Sequence, residues 1–164
     1  MATQRDVRSH SSEVRAAPLW KPGVEAGLAA GVLFLLLEYL TTFFFSASPL
    51  GPASITFRQL INLSPTESAQ GYTAVIILLH FGLAVATTLV LALLVRRMRV
   101  YWSVTFGVVY GLFLYAVNFF VFAIALPDIT AASDVFMLAN YMIYGGVAAW
   151  IYKWRERAMQ RDAA

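Results

Sequence analysis

The stretch GVEAGLAAGVLFLLLEYLTTFFF, residues 23–45, is long enough to cross a lipid bilayer and carries a carboxylate, Glu38, deep inside its apolar part. At 1.5 Å per residue, about 20 apolar residues span a hydrocarbon core that is ~30 Å thick. A charged side chain at such depth costs at least about 2.5 kcal/mol. The stretch therefore predicts a membrane-spanning helix in which Glu38 either has polar partners or is neutral.

Three glycines, Gly23, Gly27 and Gly31, precede Glu38 at spacings of four, four and seven residues. These spacings place the acid on the same helical face as the glycines. Small residues on one face let two membrane helices approach closely. The pattern predicts that this face, with Glu38, packs against protein and not against lipid.

A second pair of glycines, Gly107 and Gly111, precedes Asn118 at the same spacing, eighty residues further along the chain. The pair predicts a second packing face. Two interpretations remain open for the offset: an ancient duplication of a two-helix hairpin, or a chance likeness between two packing faces.

The composition indicates an integral membrane protein. Of the 164 residues, 60% are hydrophobic and 13% are charged, against about 25% charged residues in globular proteins. The absence of cysteine excludes disulfides, thiolate metal sites and cysteine nucleophiles. The net charge of +3 comes from basic residues that flank the apolar segments, so the lipid bilayer is the expected partner and nucleic acid is not.

The fold predicted is an all-α membrane-spanning four-helix bundle with spans at about 23–46, 71–95, 101–126 and 133–154. A polar tail at 1–20, an outer loop at 47–70 and a charged tail at 155–164 flank the spans of this single membrane domain, 21–154. Ser64 and Ser133 are candidate N-caps before the second and fourth spans.

Basic residues are distributed unevenly between the two ends of the spans. Eleven of the twelve Lys and Arg flank one end, and Arg58 alone lies on the other side. Since cytoplasmic loops are enriched in basic residues, both termini are predicted to be cytoplasmic. The four tryptophans, which favour the membrane interface, all fall at the same predicted boundary: Trp20, Trp102, Trp150 and Trp154.

Four polar residues are predicted to lie at one depth in the membrane. Counted from the outer ends of the spans, they are roughly 10 to 14 Å below the outer surface of the core. They are Glu38, His80, Asn118 and Asn140, with Tyr115 and Tyr144 one turn nearer the cytoplasm. The sequence therefore predicts one hydrogen-bonded cluster in the bundle interior.

Three interpretations of this layer remain open. In the first, Glu38 bonds His80 and the asparagines complete a structural clasp that holds the helices in register. In the second, Glu38 and His80 form a titrating pair in a proton or ion pathway. The third is a metal or haem site, for which one Glu and one His are too few ligands unless two protomers combine.

Four segments resemble an uncharacterised family of small bacterial inner-membrane proteins with four spans, some of which carry a sodium-symporter-like label. They are LLLEYL around Glu38, LLHFGLAV around His80, LYAVNFF around Asn118 and GGVAAWIYKW at 145–154. The resemblance covers roughly residues 23–155 and implies a histidine where this chain has Asn140. A weaker similarity is to small multidrug-resistance exporters, which are four-span dimers with a Glu in the first helix.

Two functions follow as hypotheses. The sequence has no phosphate-binding glycine loop followed by Lys, no HExxH and no GxSxG, so we expect a non-enzymatic protein without a cofactor. The first hypothesis is an accessory or scaffold subunit that packs through its glycine faces against itself, as a homo-oligomer, or against a larger membrane complex. The alternative is a small proton-coupled carrier or channel that works as a dimer, with Glu38 and His80 as the titrating pair.

Overall fold

The described part of the protein consists of long apolar helices. The computed structural model describes residues 20–45, 69–124 and 135–162, and within these ranges it contains no β-strand. The helices are α1 (Trp20–Phe45), α2 (Thr73–Val95), α3 (Val100–Ala116) and α4 (Val135–Asp162). Each is long and apolar enough to cross a membrane, α3 together with the five residues that follow it. The predicted all-α fold with four spans is confirmed.

Helices suit these segments because a backbone in hydrocarbon must satisfy all of its hydrogen bonds internally. A 3-10 turn, Ala69–Tyr72, leads into α2. The predicted tail before residue 20, the outer loop up to residue 68 and the N-caps at Ser64 and Ser133 lie outside the described residues.

The third span is not the continuous α-helix predicted for 101–126. The α-helix ends at Ala116, and a π-helical segment, Val117–Val121, and a 3-10 turn, Phe122–Ile124, follow it. A π segment fits an additional residue into a helical turn and so rotates the side chains that follow. Here the segment carries both Phe119, which is fully buried, and Asn118, which bonds a neighbouring helix.

The fourth helix is longer than predicted. It continues to Asp162, so residues 155–162, which the sequence assigns to a charged tail, are helical. Arg, Glu, Ala, Met and Gln in this segment are all good helix formers. Lys153 Nζ also lies 2.5 Å from Glu156 Oε2 one turn later, an i,i+3 pair that supports the helix beyond the apolar part.

The two middle helices of the bundle are α1 and α4. α1 packs along both α2 and α4, α3 packs mainly along α4, and α2 and α3 contact each other little. A tight turn joins α2 to α3, in which the Met98 amide donates to the Val95 carbonyl at 2.9 Å. The spatial order of the helices is therefore α2, α1, α4, α3.

Glycines form the contact between α1 and α2, which we call the first seam. A Cβ atom added to Gly27 would lie 2.8 Å from the Val85 Cα atom, and one added to Gly31 would lie 3.0 Å from the Ala84 Cβ. Gly23 is less constrained, because its nearest neighbour is the flexible Leu89 side chain at 2.7 Å. The three predicted packing glycines of α1 thus all face α2.

Glycines also form the contact between α3 and α4, the second seam. A Cβ atom on Gly107 would overlap the Gly145 carbonyl oxygen, and one on Gly111 would overlap the Tyr141 carbonyl oxygen. Gly145 in turn faces the Gly107 carbonyl oxygen. Because backbone meets backbone, only glycine fits at these positions. Gly145, which is not among the predicted packing residues, is as important here as Gly107 and Gly111.

A second stripe of α1 is buried throughout and faces the bundle interior. It consists of Ala26, Ala30, Phe34 and Glu38, each one turn after the last, and all of them are buried. The Phe34 ring contacts Tyr141 and Tyr144 of α4, with centroids 5.0 and 5.9 Å away. Glu38 ends this stripe and, seven residues after Gly31, also lies on the helical face of the glycines.

Candidate functional site

Glu38 lies in the bundle interior, with only 3% of its surface exposed. The register between the antiparallel helices α1 and α4 sets its surroundings. At one end Glu25 forms an ion pair with Arg155, and further along Phe34 packs on both Tyr141 and Tyr144. One turn beyond Phe34, Glu38 is therefore at the level of the turn of α4 that ends at Tyr141 and includes Asn140.

Two polar atoms at this level have no hydrogen-bond partner within the described ranges. They are Glu38 Oε1 and Asn140 Nδ2, both of them inaccessible to solvent. Glu38 also interacts electrostatically with the Tyr141 hydroxyl. A carboxylate oxygen accepts and an amide nitrogen donates, so a water molecule or a small polar group that both donates and accepts would complement this pair.

His80 has a different partner from the one that the clasp interpretation assigns to it. Its Nε2 donates to the Gly31 carbonyl oxygen at 3.1 Å, and its ring packs against Phe34 at 5.8 Å. The first seam explains the difference, because it sets Gly31 opposite Phe81 and Ala84. Since its ring also packs on Phe34, His80 is about one turn of α1 closer to the Arg96 end of α2 than Glu38 is. Counting from predicted helix ends could not reveal this register.

Tyr144 is the centre of the hydrogen bonds that cross the bundle. Its hydroxyl donates to the Ala84 carbonyl at 2.7 Å and lies 2.8 Å from Thr88 Oγ1 and 2.9 Å from Thr87 Oγ1. From α3, the Tyr110 hydroxyl donates to the Thr87 carbonyl at 3.0 Å. These bonds join α2 to both α3 and α4.

A second group of polar and aromatic contacts surrounds Tyr141, which is not among the predicted site residues. Asn118 Nδ2 donates to the Tyr141 hydroxyl at 2.8 Å. The Tyr115 ring packs against Tyr141 at 5.9 Å and against Phe119 at 4.8 Å. Tyr141 follows Asn140 and precedes Tyr144 by one turn, a spacing from which its inward position could have been inferred.

The predicted layer thus divides into separate contacts. Asn118 and Tyr115 meet Tyr141, with Glu38 in electrostatic range of it. Tyr144 and His80 instead bond backbone carbonyls of other helices. Over the described ranges, no three His, Cys, Asp or Glu side chains gather in a group that could hold a metal ion.

A charged cluster that the sequence analysis missed lies at the end of the bundle where α2 and α4 finish. The buried Lys153 donates to the Arg96 carbonyl at 3.1 Å and pairs with Glu156. Arg155 pairs with Glu25 of α1. These contacts hold the start of α1, the end of α2 and the end of α4 together, and we call this end of the bundle the basic end.

Comparison with known proteins agrees with the resemblance seen in the sequence. The family model described as "Conserved membrane protein YqhR" matches residues 3–162, nearly the whole chain. No curated protein and no solved structure matches this chain. Since the family match covers far more than half of the sequence and the described helices include four candidate spans, the chain belongs to the YqhR family of conserved membrane proteins.

Proposed function

We propose that the protein is a non-enzymatic accessory or scaffold subunit that assembles with a larger membrane complex or with a second copy of itself. The observation that supports the proposal is the way the four helices are fixed to one another. Polar side chains at membrane depth bond backbone carbonyls of neighbouring helices, as Tyr144 bonds Ala84 and His80 bonds Gly31. Bonds of this kind hold neighbouring helices in a fixed register, which is what a scaffold requires.

The seams add to this rigidity. Interhelical hydrogen bonds in membranes contribute about 0.6 kcal/mol each on average, so hydrogen bonds alone would hold the bundle weakly. At Gly107 and Gly111, however, the backbones of α3 and α4 are in direct contact, and close packing is the main source of helix association in lipid. A bundle locked in this way suits a scaffold better than a carrier, which must alternate between two arrangements.

Assembly with a partner would use a different surface from the one first expected. The predicted glycine faces are covered by the chain's own helices, so they are not free to bind another subunit. The outer faces of α2 and α3 carry large exposed apolar side chains, among them Leu83 and Phe113. We place the assembly surface on one of these faces.

Photo-crosslinking in native membranes tests the proposal. The chain has no cysteine, so a benzophenone maleimide can be attached at a single introduced one. Leu83→Cys, at a position that is 65% exposed, is compared with Phe113→Cys and with a matched control, Leu36→Cys, at a 55% exposed position of α1 outside both faces. We expect Leu83→Cys or Phe113→Cys to give a protein adduct of a single defined mass that Leu36→Cys does not give. Lipid adducts alone from both Leu83→Cys and Phe113→Cys would contradict a scaffold.

One observation favours a second candidate, a proton-coupled carrier that works as a dimer. Glu38 is buried and its Oε1 has no partner among the described residues, and ionisable groups at membrane depth often mark proton pathways. His80 is not its hydrogen-bonding partner, so Glu38 would act with Asn140 and Tyr141. Proton flux that depends on Glu38 distinguishes this candidate from the scaffold.

A further inference from the structure

A small cavity of about 130 Å³ lies at the basic end, between the first residue of α3 and the last turns of α4. Its lining combines aromatic and basic side chains. The residues are Val100, Trp150, Trp154, Arg157, Ala158 and Arg161. Except for Val100, all of them lie on one stripe of α4, at spacings of three, four or one residues.

The two arginines of the cavity are available to a ligand. Arg157 and Arg161 are exposed, and neither forms an ion pair with any residue in the described ranges. The nearest acid on the preceding turn has other partners, since Glu156 is paired with Lys153 and bonded by the Tyr152 hydroxyl. Asp162 follows Arg161 and is exposed.

The position of the cavity relative to the membrane points to the nature of the ligand. Trp150 and Trp154 are exposed and lie where the apolar part of α4 gives way to charged residues. Tryptophan at such a position sits at the level of the lipid headgroups. Arg157 and Arg161 follow Trp154 by one and two further turns, so they lie on the aqueous side of that level.

We propose that this cavity binds the headgroup of an anionic phospholipid. Arginine presents a planar fork of N–H donors that matches the oxygens of a phosphate, and such charge-assisted bonds are stronger than neutral ones. Basic pockets between membrane helices are known to bind anionic headgroups. The tryptophan rings contact the glycerol region, which is why a lipid, and not a free phosphate ion, is the ligand.

Native mass spectrometry of the whole protein in a neutral detergent tests the proposal, because the detergent micelle removes the general attraction of a charged membrane surface. The probes are dioleoyl phosphatidylglycerol, dioleoyl phosphatidylcholine and inorganic phosphate. We expect the protein to retain phosphatidylglycerol in preference to phosphatidylcholine. The double variant R157Q/R161Q should bind it more weakly, by about tenfold or more for each arginine, since each loses a hydrogen bond to a charged group.

A control variant removes the same amount of charge from the basic end outside the cavity. Lys21 and Arg96 are exposed and do not line the cavity, so K21Q/R96Q should bind phosphatidylglycerol nearly as well as the unchanged protein. An equal loss in both double variants would overturn the proposal, since it would show general charge attraction. Competition by inorganic phosphate at concentrations equal to those of the lipid would also overturn it, in favour of a free-anion site. All of the substituted side chains are exposed, so the variants are expected to fold.

Discussion

His80 donates its Nε2–H to the carbonyl oxygen of Gly31, 3.1 Å away on the neighbouring helix. A carbonyl of an α-helix is usually shielded by the side chains around it, but glycine leaves this one open to a partner on α2. The same glycine allows the close approach of Ala84 and Phe81. The first seam and the His80 hydrogen bond therefore both depend on Gly31, and Glu38 takes part in neither.

A double-mutant cycle tests the separation of Glu38 from His80. Because each group has different neighbours, the losses in stability of Glu38→Gln and His80→Asn should add, with an interaction energy below about 0.5 kcal/mol. The measurement is unfolding of the detergent-solubilised protein. An interaction energy clearly above that value would mean that the two groups meet, as in the clasp or titrating-pair interpretation.

Substitutions at the glycine seams should destabilise the protein in a defined order. Gly111→Leu should have the largest effect, because its new side chain meets the Tyr141 and Met142 backbone, with the Met142 Cα at 3.0 Å. The new side chain of Gly31→Leu would contact mainly the side chains of Ala84 and Phe81. This variant should therefore lose less stability, about 1 to 3 kcal/mol, as at other overpacked sites.

The matched control for both is Gly82→Leu, where nothing lies within 4 Å of the added Cβ. Its thermal unfolding in detergent and its yield should stay close to those of the unchanged protein. Equal losses in all three variants would show that the seams do not determine the packing.

Tyr144→Phe should weaken the contact between α2 and α4. The change removes the hydroxyl that donates to the Ala84 carbonyl and contacts Thr87 and Thr88, and it leaves that buried carbonyl without this donor. We expect a loss of about 1 to 3 kcal/mol, measured by thermal unfolding. Tyr101→Phe is the control, since Tyr101 is exposed and should change stability little.

The predicted topology can be tested by labelling an introduced cysteine. Eleven of the twelve Lys and Arg residues flank the basic end of the spans. Both termini should therefore be cytoplasmic, and the 47–70 loop should lie outside. Ser64→Cys in intact cells should react with a membrane-impermeant maleimide. Arg97→Cys, in the exposed turn between α2 and α3, should react only after the cells are opened. The reverse pattern would invert the orientation.

The number of spans could be predicted from the sequence, because runs of apolar residues at membrane length have few alternatives. The packing faces were also predictable where glycines repeat, as at Gly27 and Gly107. The register between helices was not. In a soluble protein, apolar residues mark the inward face, but in a membrane the lipid side is equally apolar and the pattern gives little guidance.

The errors at the candidate site follow from that missing register. Counting from helix ends places His80 at the level of Glu38, but its contacts with Gly31 and Phe34 fix it about one turn of α1 nearer the basic end. The π segment that directs Asn118 to Tyr141 leaves no mark in the periodicity. The helical extension to Asp162 was predictable in principle from its composition.

Proton flux in liposomes tests most directly whether the buried Glu38 belongs to a fixed scaffold or to a pathway. The purified protein is reconstituted with a pH-sensitive dye inside the vesicles, and a pH gradient or a membrane potential is applied. For a scaffold, we predict that the decay of the gradient equals that of protein-free vesicles, and that Glu38→Gln leaves it unchanged. A flux well above that background that is lost in Glu38→Gln and kept in His80→Asn would contradict the scaffold and establish Glu38 as a proton-carrying group.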